Sequence, residues 1–152
     1  MFLSELLSPE RVLLQRGDSF DKKKALTLLA SLLSKGGGAP ETELVRVLEE
    51  REALQSTGVG EGVAIPHGAL ANLEQQCAAL LIVPDGVEFE AIDDAKVTIL
   101  FAVVGPKRAS GEHLKTLARV SRLLRNGNFR ARLLSAKDSA SAFKLIADEE
   151  AR

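Results

Sequence analysis

The residues best suited to chemistry lie in one stretch, Arg51-Glu52-Ala53-Leu54-Gln55-Ser56-Thr57-Gly58-Val59-Gly60-Glu61-Gly62-Val63-Ala64-Ile65-Pro66-His67-Gly68. Gly58, Gly60 and Gly62 let backbone amides approach a ligand, or turn at positive φ, without a Cβ penalty. Val63-Ala64-Ile65 has the composition of a short strand, after which Pro66 fixes φ and removes a ladder donor. This order predicts that His67 leaves the sheet at a defined angle. Neutral imidazole is nucleophilic near pH 7 and turn amides stabilise an oxyanion, so the stretch suits phosphate chemistry. Hydrogen-bonded rim histidines and glycine-rich turns are also common, and the residues alone leave both readings open.

The elements that must position these residues follow from periodicity. Residues 2–7 read as a short helical turn ended near Pro9, and 12–14 as a short strand. Asp18, Ser19 and Asp21 offer caps for a helix with Ala25, Leu26, Leu28, Leu29, Leu32 and Leu33 inward, stopped by Gly36-Gly37-Gly38. Pro40 suits the first turn of a second helix, running to about Leu54 with Leu44, Val45, Val47 and Leu48 in its pattern. Residues 78–83 and 97–104 are apolar runs of the kind found in buried strands. Between them, 87–92 alternates, as a strand or extended edge segment does. Ser110 is placed to cap a helix over about 111–125 with Leu114, Leu117, Ala118 and Leu124 inward. A short helix follows Asn126-Gly127-Asn128, and 139–149 forms the last. The pattern is that of one α/β domain over residues 1–152, a small mixed β-sheet flanked by helices.

Composition sets bounds. In 152 residues, a 45% hydrophobic and 27% charged content matches an ordinary globular domain, and the net charge of −1 gives no global attraction to nucleic acid or anionic membrane. Cys77 is the single cysteine and suits a small buried hydrophobe; with two distant histidines it makes no zinc motif. The start lacks the basic and long apolar regions of a signal peptide, and no apolar run is long enough to cross a bilayer. A cytoplasmic protein with no cofactor and no membrane insertion is expected.

The central stretch resembles the phosphorylation site of the fructose/mannitol-type enzyme IIA family of the bacterial phosphotransferase system. The family's Ser-Thr-Gly-x-Gly element appears as residues 56–60, and its apolar-Ala-apolar-Pro-His block as 63–67. Arg51-Glu52 matches the end of the preceding helix, Phe89-Glu90-Ala91-Ile92-Asp93 a Phe-Asp-x-x-Asp segment, and His113-Leu114-Lys115-Thr116-Leu117 the second histidine element. The standalone length looks most like the nitrogen-related regulatory branch. The resemblance implies the family's mixed-sheet fold and a phosphotransferase whose His67 accepts a phosphoryl group, as a tele-phosphohistidine, from an HPr-like phosphocarrier. It also implies regulated partners such as transporters or sensor kinases. Two positions depart from the pattern: Glu61 stands where a polar neutral residue is usual, and Ala69 where many relatives are basic.

Within that reading, Arg51 is the candidate to neutralise phosphate oxygens, because a guanidinium stays charged and binds two of them. A solvated arginine at a helix end is its plainer role. The Ser56 and Thr57 hydroxyls with the Gly58 and Gly60 amides are candidates to cradle the phosphate, simple turn formation being the alternative. His113, in the first turn of a helix, is disfavoured from protonation and suited to donate one N–H to a phosphate, or else to face solvent as a cap residue. A sugar-specific enzyme IIA passing phosphate to a separate IIB protein is the rival within the family. The rival of another class is a non-catalytic binding module. Residues 107–132 hold eight Lys or Arg against one acid, Glu112, with Lys115, Arg119 and Arg122 on one helical face. A Walker lysine and a G-x-S-x-G element are both missing, so neither ATP nor a serine nucleophile is expected.

Overall fold

The computed structural model describes residues 2–17, 20–36 and 38–152. The cap candidates Asp18 and Ser19, and the helix stop at Gly37, lie outside the described residues.

The sheet is built on one long antiparallel pair, β6 (Cys77–Glu88) and β7 (Val97–Pro106). On the outer side of β6 lie β1 (Val12–Leu14) and β2 (Phe20–Asp21), both parallel to it. On the outer side of β7 lie β4 (Val63–Ala64) and β5 (His67–Leu70), also parallel, with β3 (Gly58–Gly60) antiparallel to β4 at the edge. The sheet is therefore mixed, and helices flank it on both faces.

Alternation along the two central strands explains why they read as unbroken apolar runs. Ala79, Leu81 and Val83, with Leu100, Ala102 and Val104, face α2 (Lys22–Ser34) and α3 (Glu41–Leu54). Ala78, Leu80 and Ile82, with Ile99, Phe101 and Val103, face α1 (Leu3–Leu6), α4 (Ser110–Leu124), α5 (Gly127–Leu134) and α6 (Ser139–Ala151). A strand covered on both faces has no polar side to show. Caps come from local chemistry: Asp21 accepts from the Lys24 N–H at 2.8 Å to open α2, and Asn126 from the Phe129 N–H at 3.1 Å to open α5. Among the described residues no helix is long and apolar enough to cross a membrane.

Four expectations are corrected. Residues 87–92 are not a separate strand. Val87 and Glu88 finish β6 beyond a register shift, and Glu90, at φ 56°, turns the chain away from the sheet. Pro40 occupies the cap position before α3 rather than its first turn. Helix α4 begins at Ser110 itself, after a 3-10 turn over Lys107–Ala109, and it faces the core differently. Leu114 is 66% exposed and Ala118 is exposed, while His113, Thr116, Val120 and Leu124 point inward. The sequence offers two stripes on this helix, and the turn that feeds it selects the one carrying His113. Finally, His67 does not leave the sheet. Pro66 lacks the donor that would continue the ladder, so pairing with β7 lapses at 65–66 and resumes at His67 in the same register.

Candidate functional site

His67 opens β5, opposite Val103 of β7. Val103 belongs to the face covered by α4, and alternation sends the imidazole to that same face. The next residue, Gly68, has its missing side chain toward α3, where a Cβ would run into Val47 Cγ1. Only glycine permits helix and strand to approach so closely here. That approach brings Arg51, in the last turn of α3, round the sheet edge to His67.

The hydrogen bonds define the state of the imidazole. Nδ1 lies 2.8 Å from the Ile65 carbonyl oxygen, which only accepts, so Nδ1 carries the proton. Nε2 then bears the lone pair, and Arg51 Nε–H donates to it at 3.2 Å. The same guanidinium donates from Nη1 to the Gln55 carbonyl at 2.9 Å. His113 reaches in from α4, its ring centroid 5.8 Å from that of His67 and tilted by 53°. It is 9% exposed, and neither of its nitrogens has a hydrogen-bond partner among the described residues. The cavity over these groups, about 600 Å³, is walled by Arg51, Leu54, His67, Ala69, Lys107 and His113 among others.

Burial dominates the electrostatics. Desolvation holds His67 below the usual imidazole range, and Arg51 pushes the same way against the Ile65 hydrogen bond and the more distant Glu52 carboxylate. Desolvation likewise lowers His113, helped by the neighbouring His67. Both rings are therefore neutral at pH 7. The site combines a nucleophilic nitrogen of fixed tautomer, a permanent cation and a second neutral imidazole with unused hydrogen-bonding capacity.

Of the residues singled out in the sequence, the structure brings Arg51, His67 and His113 together. It places Ser56, Thr57, Gly58 and Gly60 elsewhere, none of them on the wall of this cavity. Thr57 is buried and donates from its N–H and its hydroxyl to the Glu52 carboxylate, which Lys22 neutralises at 3.0 Å. Ser56 Oγ accepts from the Gly58 N–H at 3.1 Å. A Cβ on Gly58 would lie 2.7 Å from Ala91 Cβ, and Gly60 turns the β3–β4 hairpin at φ 96°. These contacts belong to the hairpin and match the turn-forming alternative for Ser56, Thr57, Gly58 and Gly60. Glu61 sits at the hairpin tip, exposed, accepting from Arg130 Nη2 at 3.3 Å, and so points away from His67. The Ile65 and Gln55 carbonyls escaped sequence reading, and Lys107 entered it only as the start of the basic segment 107–132, not as a neighbour of His67. Of these only Lys107 carried a signal, standing directly after the Gly105-Pro106 strand end.

The basic segment 107–132 is not one surface. Arg108 donates to the Leu73 and Glu74 carbonyls at 2.9 and 3.0 Å, Arg130 to those of Leu124 and Arg125 at 2.9 Å, and Arg132 pairs with Glu149. Lys115, Arg119 and Arg122 form an exposed row on α4.

Comparison with known proteins bears on this geometry. Residues 5–149 match the family model described as phosphoenolpyruvate-dependent sugar phosphotransferase system, EIIA 2. The chain is similar to the nitrogen regulatory protein of Bradyrhizobium diazoefficiens, 35% identical over 147 residues that span 97% of this chain and 95% of that protein. Its fold is similar to nitrogen regulatory protein IIA-Ntr of Neisseria meningitidis, with TM-score 0.87, 27% identity and coverage of 95% and 98% of the two chains. IIA mannitol of Escherichia coli, at 24% identity with TM-score 0.77 over 92% of this chain and 98% of that one, shares the fold. With a matched span of nearly its whole length, the chain belongs to the enzyme IIA type 2 family of the phosphoenolpyruvate-dependent sugar phosphotransferase system.

Proposed function

We propose that His67 accepts a phosphoryl group at Nε2 from a phosphohistidine on an HPr-like carrier, and that the phosphorylation state of this protein controls its partners in the cytoplasm. The observation that carries the reading is the Nδ1–H···O=C bond to Ile65, which leaves Nε2 as the nucleophile inside a cavity beside Arg51 and His113. In transfer, the Nε2 lone pair attacks phosphorus, the P–N bond of the donor breaks, and the donor imidazole leaves with the electron pair. No net proton moves, because the proton stays on His67 Nδ1, which keeps donating it to the Ile65 carbonyl. Arg51 must first release Nε2, and its guanidinium then turns to the phosphoryl oxygens, where charge-assisted bonds are strongest. His113, kept neutral by burial, is placed to donate one N–H to the same group. Similarity to nitrogen regulatory proteins over nearly the whole chain favours a regulatory output over dedicated sugar transport.

The test is intact-protein mass after incubation with phosphoenolpyruvate, enzyme I and a cognate HPr-type carrier. Wild type gains one phosphate, whereas His67→Ala, and wild type given ATP alone, gain none. A demonstrably charged carrier that leaves wild type unmodified would sink the relay reading.

A further inference from the structure

Three buried side-chain atoms without a hydrogen-bond partner gather around one glycine: Gln76 Oε1, His113 Nδ1 and His113 Nε2. The glycine is Gly105. A Cβ built there would lie 3.1 Å from His113 Nδ1, 3.2 Å from Gln76 Cγ and 3.9 Å from Gln76 Oε1. The topology explains the meeting. Gln76 stands one residue beyond the Cys77–Val104 pair and therefore across from Gly105. On the other side Gly105 is registered with Ala69, two residues after His67. Gln76, Gly105 and Ala69 thus form a row across the sheet beneath His113, and the absent side chain at Gly105 leaves the carboxamide and the imidazole facing one space. Buried polar atoms in native proteins are rarely left unpaired, and two complementary ones at one spot call for an account.

A carboxamide offers a donor at one end and an acceptor at the other, and a half-turn of its broad terminal torsion exchanges them. With the oxygen toward His113, Nδ1 takes the proton and Nε2 is left as a bare lone pair, which repels an anion. With the amide nitrogen toward it, Nδ1 accepts, the proton sits on Nε2, and that N–H is available to an oxyanion. We propose that Gln76 is the positioning residue of this site: its amide N–H donates to His113 Nδ1 and thereby sets His113 as an Nε2–H donor to the phosphoryl group on His67. The juxtaposition of Gln76 and His113 stands on its own geometry, and its purpose rests on the phosphoryl-acceptor reading. A glutamate, acceptor only, reverses the tautomer while keeping the shape of the side chain.

The experiment is long-range proton–nitrogen correlation of 15N-histidine-labelled protein at pH 7.5, comparing wild type, Gln76→Leu and Gln76→Glu, together with single-turnover transfer from a charged HPr-type carrier. Wild type shows His113 as the Nε2–H tautomer, Gln76→Leu a mixture, and Gln76→Glu the Nδ1–H form. Transfer slows roughly ten- to a hundredfold in Gln76→Glu, the worth of one hydrogen bond to a charged group, with the half-saturating carrier concentration unchanged. An identical His113 pattern in wild type and the near-isosteric Gln76→Glu overturns the assignment, and so does wild-type transfer by Gln76→Glu. The tautomer readout involves no phosphate, so it decides the role of Gln76 even where the relay itself fails.

Discussion

Replacing Arg51 with lysine separates charge from geometry at the site. The guanidinium holds two acceptors at once, His67 Nε2 at 3.2 Å and the Gln55 carbonyl at 2.9 Å. An ammonium on a flexible stem keeps the positive charge but cannot span both in a fixed plane. Once phosphorus is bonded to Nε2, arginine can hold Gln55 with one nitrogen and present others to the phosphoryl oxygens, whereas lysine must choose. The loss is about one charge-assisted hydrogen bond, roughly 1.5–3 kcal/mol. At about 1.4 kcal/mol per power of ten, the transfer rate falls about ten- to a hundredfold. The Arg51–Gln55 bond is exposed, so the folded state loses no more than about 1 kcal/mol. Rapid-quench single-turnover transfer from a charged carrier measures the first quantity, and urea unfolding the second. Transfer by Arg51→Lys within twofold of wild type would refute the fork argument. So would a rate loss matched by an equal loss of folded protein.

The depressed pKa values carry a sign for stability. His67 and His113 titrate in the folded state below the ordinary 6.5, mainly through burial, so between those values the unfolded chain binds more protons. Their contribution is complete above pH 6.5 and is lost as pH falls through 6.5 toward the folded values. Urea unfolding between pH 7.5 and 5 is expected to show this slope, and His113→Gln to flatten it. Gly68→Ala drives a methyl into Val47 and should cost about 1–3 kcal/mol, read as a lower urea midpoint; an unchanged midpoint would mean that α3 yields freely. Glu52→Ala strips partners from Lys22 and Thr57 and should cost about 3 kcal/mol, while the folded fraction still accepts phosphate on His67. Loss of acceptance by folded Glu52→Ala would put the hairpin back among the phosphate-binding groups.

What was legible in the sequence was chemistry at the level of residue type. A histidine after proline, an arginine at a helix end and a second histidine at a helix start name the three groups that converge. What was not legible is which of several permitted jobs a residue performs. Glycine serves equally for an amide that meets an anion and for a backbone that meets a neighbour. At Gly58 the neighbour is Ala91, brought in from thirty-odd residues away. The phase of α4 was hidden for a similar reason. Leu114 and His113 are adjacent, leucine is the more hydrophobic, and pattern alone turned leucine inward. Tertiary position overrides this preference, because the helix leaves β7 through Lys107–Ala109 and lands with His113 over Gly105. Gln76 gave no signal at all, since its role depends on a cross-strand register.

The unmodified site holds one fixed cation, Arg51, bonded to one of two imidazoles kept neutral by burial, a local charge of about +1. A phosphoryl group on His67, as proposed, would add about −1.5 to −2 and turn that sum negative. The reversal takes place in a half-buried cavity, where solvent screens less than it does outside, and the rim carries both signs, with Glu43, Glu50, Arg46 and Lys107. Beside it stands Leu54, 83% exposed at the end of the helix that carries Arg51. A partner that buries Leu54 sees the same apolar anchor in both states and a cavity of opposite sign. For such a partner, affinity would come from the anchor and discrimination from the charge. Raising salt should narrow the difference in affinity between the two states more than it weakens binding itself. A partner whose preference for one state is indifferent to salt must be reading a change of shape instead.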